Sequence, residues 1–165
     1  RRICATRPSF DVIDQEYEKI LKGPTYSPAV QCGIYAMTAG AFAIFFGGNL
    51  WDGFASLFVG ALIRVTLYAL SAIKLKAIFS NILCSLISGM ACILVCYLGI
   101  GQHGEMIMIG NIMLLIPGVL MTNSFRDFIS GDMISGLLHF SEAMITAICV
   151  AAGFILSKIL LGGML

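Results

Sequence analysis

Charge is scarce in this chain. Of its 165 residues only 12% are Asp, Glu, Lys or Arg, against 59% hydrophobic, and the mean hydropathy is +0.95. A soluble domain takes about a quarter of its residues as charges, so too few polar side chains are present to cover a soluble globule. The scarcity is also uneven. Between Ala29 and Leu165 stand five basic residues (Arg64, Lys74, Lys76, Arg126, Lys158) and five acidic ones (Asp52, Glu105, Asp127, Asp132, Glu142), and the other nine charges lie in the first 28 residues. A net charge of +1 and the lack of any run of like charges leave no basic surface, which excludes nucleic acid as a partner.

Loop cysteines are also wanting. The six cysteines are even in number, yet Cys32, Cys84, Cys92, Cys96 and Cys149 fall inside apolar runs, where a disulfide framework does not sit. They read as buried thiols. His103 and His139 are 36 residues apart, and the pair Cys92 and Cys96 has no His or Cys at finger-like distance, so neither a metal nor any other cofactor is expected. The chain opens on Arg1 without a basic stretch, short apolar core and cleavage site. An upstream segment is expected to precede it.

What is present is long apolar sequence. About 20 apolar residues cross a hydrocarbon core of about 30 Å, and five stretches meet or approach that length: 29–48, 53–71, 77–99, 106–122 and 140–161. Nothing alternates with period 2, so helices are favoured over a barrel. The expected fold is an all-α membrane protein, a five-helix transmembrane bundle over 29–165, preceded by a short amphipathic helix within 1–28. That helix reads as residues 9–22, with Ser9 as its N-cap, Phe10, Ile13, Tyr17 and Ile20 as its apolar stripe, and Gly23-Pro24 as its stop. It suits the cytoplasmic interface or a face of a preceding domain, with a regulatory role as the alternative. Lys and Arg gather before the first span, in the second loop and in the fourth, while the first and third loops hold none. The N-terminus is therefore assigned to the cytoplasm and the C-terminus to the outside, with Lys158 an exception whose stem can snorkel.

Placed at 100° intervals, each span gathers its small and polar residues on one face. These faces are Ala36, Gly40, Ala43 and Gly47; Gly53, Ser56, Gly60, Arg64 and Ser71; Asn81, Ser85, Ser88, Cys92 and Gly99; Asn111, Gly118 and Thr122; and Glu142, Thr146, Cys149, Gly153 and Ser157. Close helix packing explains such stripes without any function. Three features raise a solute pathway as the alternative. Arg64 lies about 15 Å of helix from the nearest loop lysine, where a charge costs at least about 2.5 kcal/mol; it either snorkels or needs a partner, for which Glu142 is a candidate. Pro117-Gly118 interrupts the fourth span, as a kink or as a full break that exposes backbone dipoles. The segment from Asn123 to Glu142 is too polar to span and too apolar for a free loop, and is expected to form short helices at the cytoplasmic mouth. Within it, Asn123 or Ser124 can cap a helix with Asp127 in its first turn, and Asp132 can cap the next.

Pro117-Gly118, Asn123-Ser124, Arg126-Asp127, Gly131-Asp132, Ser135-Gly136 and Glu142-Ala143, followed by Gly153, resemble the signature of the threonine/serine exporter family in its N-terminal membrane half. Gly47-Gly48 and the run from Leu21 to Tyr26 are similar more loosely, and His139 departs from the arginine more often expected there. The resemblance implies secondary export of small polar metabolites across the bacterial inner membrane, threonine and serine or dicarboxylates such as succinate. It also implies a complementary second half, fused or separate, and a higher oligomer is compatible with it. An odd number of spans lets a fused second unit insert inverted, which is how repeats build a site at the midplane. On this reading Arg64 or Arg126 holds a substrate carboxylate and one of Asp127, Asp132 and Glu142 carries a proton, with Asn111, Pro117, Gly118, Asn123 and Thr146 lining the path. Two rivals stay open: a scaffold subunit without flux, and an intramembrane hydrolase using Asp127 and Asp132, which lacks a membrane aspartate facing them.

Overall fold

The computed structural model describes residues 26–73 and 75–161, together with Tyr17, which is helical and exposed. The rest of the expected amphipathic helix lies outside the described residues. The chain divides into two compact units, 1–30 and 31–165. Six helices form among the described residues: α1 Pro28–Phe45, α2 Leu50–Ala72, α3 Ala77–Tyr97, α4 Gly104–Ile112, α5 Gly118–Ile129 and α6 Met133–Leu161. Four of them, α1, α2, α3 and α6, are long and apolar enough to cross a membrane.

Local chemistry sets the ends. Pro28 opens α1, where its missing N–H costs nothing, and the Ser27 hydroxyl accepts the Val30 N–H at 3.4 Å. Helices α1, α3 and α5 end alike, on Gly47, Gly99 and Gly131 at φ +104°, +74° and +85°. In each, paired N–H groups turn back to the last carbonyls, as Gly47 to Ile44 and Gly48 to Ala43, both at 3.0 Å. Asp132 then caps α6, accepting the Ser135 N–H at 3.2 Å and its hydroxyl at 2.8 Å.

Of the kink and the full break that Pro117-Gly118 leaves open for the fourth span, the structure has the break. That span consists of α4, of nine residues, and α5, of twelve, joined through a turn at 113–117; neither reaches the ~30 Å of a hydrocarbon core at ~1.5 Å per residue. Pro117 is the reason, because it has no N–H to donate to Met113, and the Gly118 N–H bonds the Ile116 carbonyl at 2.8 Å instead. The two pieces still carry the chain across. Ser85 faces Gly153 and Gly89 faces Ser157, so α3 and α6 run parallel. Gly104 at the start of α4 lies against Cys96 at the end of α3, and Ser124 of α5 donates to the Gly136 carbonyl near the start of α6 at 2.8 Å. The described residues thus hold four long apolar helices and, between α3 and α6, the interrupted pair α4 and α5.

The small-residue faces meet over their middle stretches, while Gly47, Ser71, Gly99, Gly118, Thr122 and Glu142 of the expected faces are exposed. Gly40, Ala43, Gly53, Ser56, Gly60, Ser85, Ser88, Cys92, Asn111, Cys149, Gly153 and Ser157 are all buried. At Gly60 an added Cβ would lie 2.6 Å from the Ala39 Cβ and 2.8 Å from the Tyr35 carbonyl, so α1 and α2 touch backbone to backbone. At Gly153 it would lie 2.5 Å from the Ser85 Cβ and 2.7 Å from the Ile82 carbonyl. Two apolar clusters fill the space between: Ala55, Val59, Cys92, Ile93, Ile107, Met108, Val150 and Phe154, and then Ile63, Leu70 and Cys84 with Leu114 and Leu115 against them. The five cysteines among the described residues are free, with Cys84, Cys92 and Cys149 buried and Cys32 and Cys96 half-buried.

Candidate functional site

Polar groups collect at three levels. At the end that the basic loops assign to the cytoplasm, α5 and α6 form a hairpin around Asp127. His139 Nδ1 lies 2.9 Å from Asp127 Oδ2, and an Arg126 terminal nitrogen lies 3.9 Å from Asp127 Oδ1. Asp127 is largely buried while the Arg126 side chain is 73% exposed, so the guanidinium keeps most of its donors free. Gly136 lets the Phe128 ring close on α6, since a Cβ there would lie 2.6 Å from that ring, and this contact with the Ser124 bond holds Asp127 opposite His139.

The expected short-helix capping is only half realised. Asp132 is the cap that the sequence suggests, but Asn123 and Ser124 lie inside α5, and Asp127 falls in its last turn rather than its first. The helix starts earlier than the polar residues imply because the break at Pro117 already supplies its N-terminus. For the same reason α6 begins at Met133, seven residues before the expected 140–161 span. Ser135 holds the exposed Asp132 carboxyl below the usual aspartate range. A lowered value means that this charge stabilises the cap above the ordinary aspartate pKa, and the contribution is lost as pH falls through the lower folded value.

At mid-depth, the structure does not bring Arg64 and Glu142 together. Arg64 Nε donates to Gln31 Oε1 at 2.9 Å, a second guanidinium nitrogen contacts the same oxygen, and the Tyr35 ring lies 5.9 Å beneath. Both partners come from α1, one turn apart. Glu142 is exposed on α6, and among the described residues Arg64 has no carboxylate partner. Asn111 is fully buried and donates to Ser56 Oγ at 3.1 Å and to the Ile107 carbonyl at 2.8 Å. Pro117 and Gly118 form the break, Asn123 is half-buried on α5, and Thr146 is half-buried on α6. The ten expected residues therefore fall into an inner group (Asn123, Arg126, Asp127, Asp132), a group at the break (Asn111, Pro117, Gly118), and Arg64, Glu142 and Thr146 apart.

At the opposite end sits a constellation that sequence reasoning missed. Asp52 is fully buried and accepts the Asn49 N–H at 2.8 Å, the Gln102 N–H at 2.7 Å and the His103 N–H at 2.9 Å, with His103 Nδ1 at 2.8 Å. One side chain thus ties the α1–α2 turn to the α3–α4 loop. The only hint in the sequence is an acid three residues after Asn49, the pattern of a helix start. Beside it opens a cleft of about 640 Å³ between α3, α4 and α6, with Cys96, Gln102, Glu105, Met108 and Lys158 in its walls. None of the ten expected residues lines it.

Four helices long and apolar enough to cross a membrane, an interrupted pair beside them next to buried polar groups, and ionisable side chains held at one end of that pair define the class: a multi-pass membrane protein of the transporter type. The chain belongs to the threonine/serine exporter family, for the model of the family described as "Putative threonine/serine exporter" matches residues 1–161. No curated protein and no solved structure matches it significantly.

Proposed function

We propose that this chain is one half of a proton-driven exporter of small polar metabolites in the bacterial inner membrane, moving threonine or serine, or a dicarboxylate such as succinate, together with a complementary membrane half. The observation that carries this reading is the interrupted crossing α4–α5 that runs from the buried Asn111 to Asp127, His139 and Arg126. Irregular backbone at membrane depth is tolerated where it lines a wet cavity or meets other protein. Ile116, Gly118 and Val119 at the break are exposed in this chain alone, which suits one wall of a wet cavity whose far wall is the second half.

The chemistry follows from the partners. Arg126 is loosely held and Arg64 rests on a neutral amide and a ring, so either guanidinium can take a carboxylate in bidentate fashion without first giving up a strong ion pair. Asp127 and His139 share one short contact, a carboxylate against a ring nitrogen that can either donate or accept a proton. A proton taken up at this pair from one side and released to the other couples the gradient to movement of the solute. Asp127 and Asp132 have separate partners, His139 and Ser135, which disfavours a paired-aspartate hydrolase.

The test is flux in vesicles with the complementary half present. A proton gradient should drive movement of labelled threonine or succinate, and Asp127→Asn should cut the driven rate by about 100-fold, the lower end of the range for losing a proton-transfer group, while protein level holds. Unchanged driven flux in Asp127→Asn, Asp132→Asn and Glu142→Gln alike would remove the proton-carrier reading.

A further inference from the structure

The outer cleft beside Asp52 takes no part in the proposed export path. Helix α4 packs on α2 and α3 while α5 packs on α6, so the interrupted pair leaves α4 and α6 apart at the outer end, with about 640 Å³ open between them over α3. The floor of this cleft is apolar: Cys92 and Ile93 of α3 and Met108 of α4 are buried members of one packed cluster. The charged side chains in its walls are Glu105, in the first turn of α4, and Lys158, in the last turn of α6, both exposed.

Among the described residues neither of these charges forms an ion pair. Each complements the dipole of its own helix, which explains the two signs but supplies no counter-ion. Lys158 is also the exception to the gathering of basic residues at the inner end. Trp51 near the start of α2 and Tyr97 at the end of α3 are exposed at this same outer end, and such amphipathic rings collect where hydrocarbon meets headgroups. The acid and the base therefore stand at headgroup depth above an apolar floor.

We propose that the cleft seats a zwitterionic phospholipid with a primary ammonium, of the phosphatidylethanolamine type, from the outer leaflet. The phosphate meets Lys158, the ammonium donates to Glu105, and the acyl portion lies against Ile93, Met108 and Ile159. Three features select this ligand. A charge-assisted hydrogen bond to a carboxylate needs N–H donors, which a quaternary choline headgroup lacks. An anionic headgroup offers Glu105 no cation and is repelled by it. A free amino acid carries both charges but is small, and would leave the apolar walls wet in a cavity whose volume falls within the ~300–1,000 Å³ of drug-sized ligands. Seated there, the lipid joins α4 to α6 and holds the outer half of the interrupted pair in place.

The experiment melts the delipidated full chain in detergent after addition of phosphatidylethanolamine, phosphatidylcholine or phosphatidylglycerol with the same acyl chains, or of free threonine. Phosphatidylethanolamine should raise the melting temperature by roughly 5 °C in a saturable way, the other two lipids should raise it distinctly less, and threonine should leave it where it was. Glu105→Gln should bring the three lipids level, and Lys158→Gln should weaken the phosphatidylethanolamine response several-fold; both side chains are exposed, so neither change disturbs the core. Equal responses of the unaltered protein to the three lipids overturn the proposal, and so does a phosphatidylethanolamine preference that both variants leave intact. A rise with threonine that either variant abolishes also overturns it, because the cleft would then hold a free solute. The readout involves no flux, so it stands or falls apart from the export reading.

Discussion

Alanine at Asp52 is expected to lower the stability of the folded protein by about 3 kcal/mol, because three backbone N–H groups and the His103 ring would lose their shared acceptor at a fully buried position. Apart from those of Asp52, the hydrogen bond between the α1–α2 turn and the α3–α4 loop among the described residues is the Asn49–Gln102 side-chain contact at 3.0 Å, so these two ends should loosen together. Asp52→Asn keeps two acceptor sites and should lose less. His103→Ala should lose least, since half of the His103 side chain is already exposed. Melting of the purified protein orders the three variants. An alanine variant as stable as the parent would show that the constellation is incidental.

Gly153→Ala should be nearly as damaging, although it adds a single methyl group. That methyl would lie 2.5 Å from the Ser85 Cβ, 2.7 Å from the Ile82 carbonyl and 2.9 Å from the Leu86 nitrogen, and two of these three neighbours are backbone. Relief requires α3 and α6 to move apart, which opens gaps along the whole seam. Overpacking of this kind costs about 1–3 kcal/mol, and Gly153→Leu should exceed that range. Gly33→Ala is the control, because nothing lies within 4 Å of a Cβ there and helix propensity alone favours the change. If Gly153→Ala and Gly33→Ala melt together, the close α3–α6 contact is absent from the membrane.

The sequence makes plain those features that depend on neighbours along the chain. Pro117-Gly118 announces the interruption because proline removes a donor wherever it stands. The glycine and serine faces of the crossings follow from a fixed angle per residue, and Asp132 declares itself as a cap by the serine three positions on. Features that depend on tertiary pairing are silent. Asp52 gains its ligands 50 residues away, in a loop whose only visible trait is its polarity. For Arg64 electrostatics leaves snorkelling or a partner such as Glu142 open, yet the side chain that reaches it is Gln31, 33 residues earlier, an amide inside an apolar run. His139 was noticed as a departure from arginine, but its bond to Asp127 required knowing that α6 starts at Met133 and folds back on α5. The polar residues from Asn123 to Asp127 suggest the start of a short helix with its cap, because local propensity does not reveal that the break at Pro117 has already started that helix.

The central claim is that the interruption between α4 and α5 borders water, not lipid. The most direct measurement places single cysteines at Ile116 and Val119, in protein whose own thiols have been replaced and whose complementary half is present, and treats the membranes with an impermeant maleimide. Labelling at both positions, slowed by the transported solute, is the predicted result. Labelling only by a lipid-soluble reagent, indifferent to every solute tried, would contradict it.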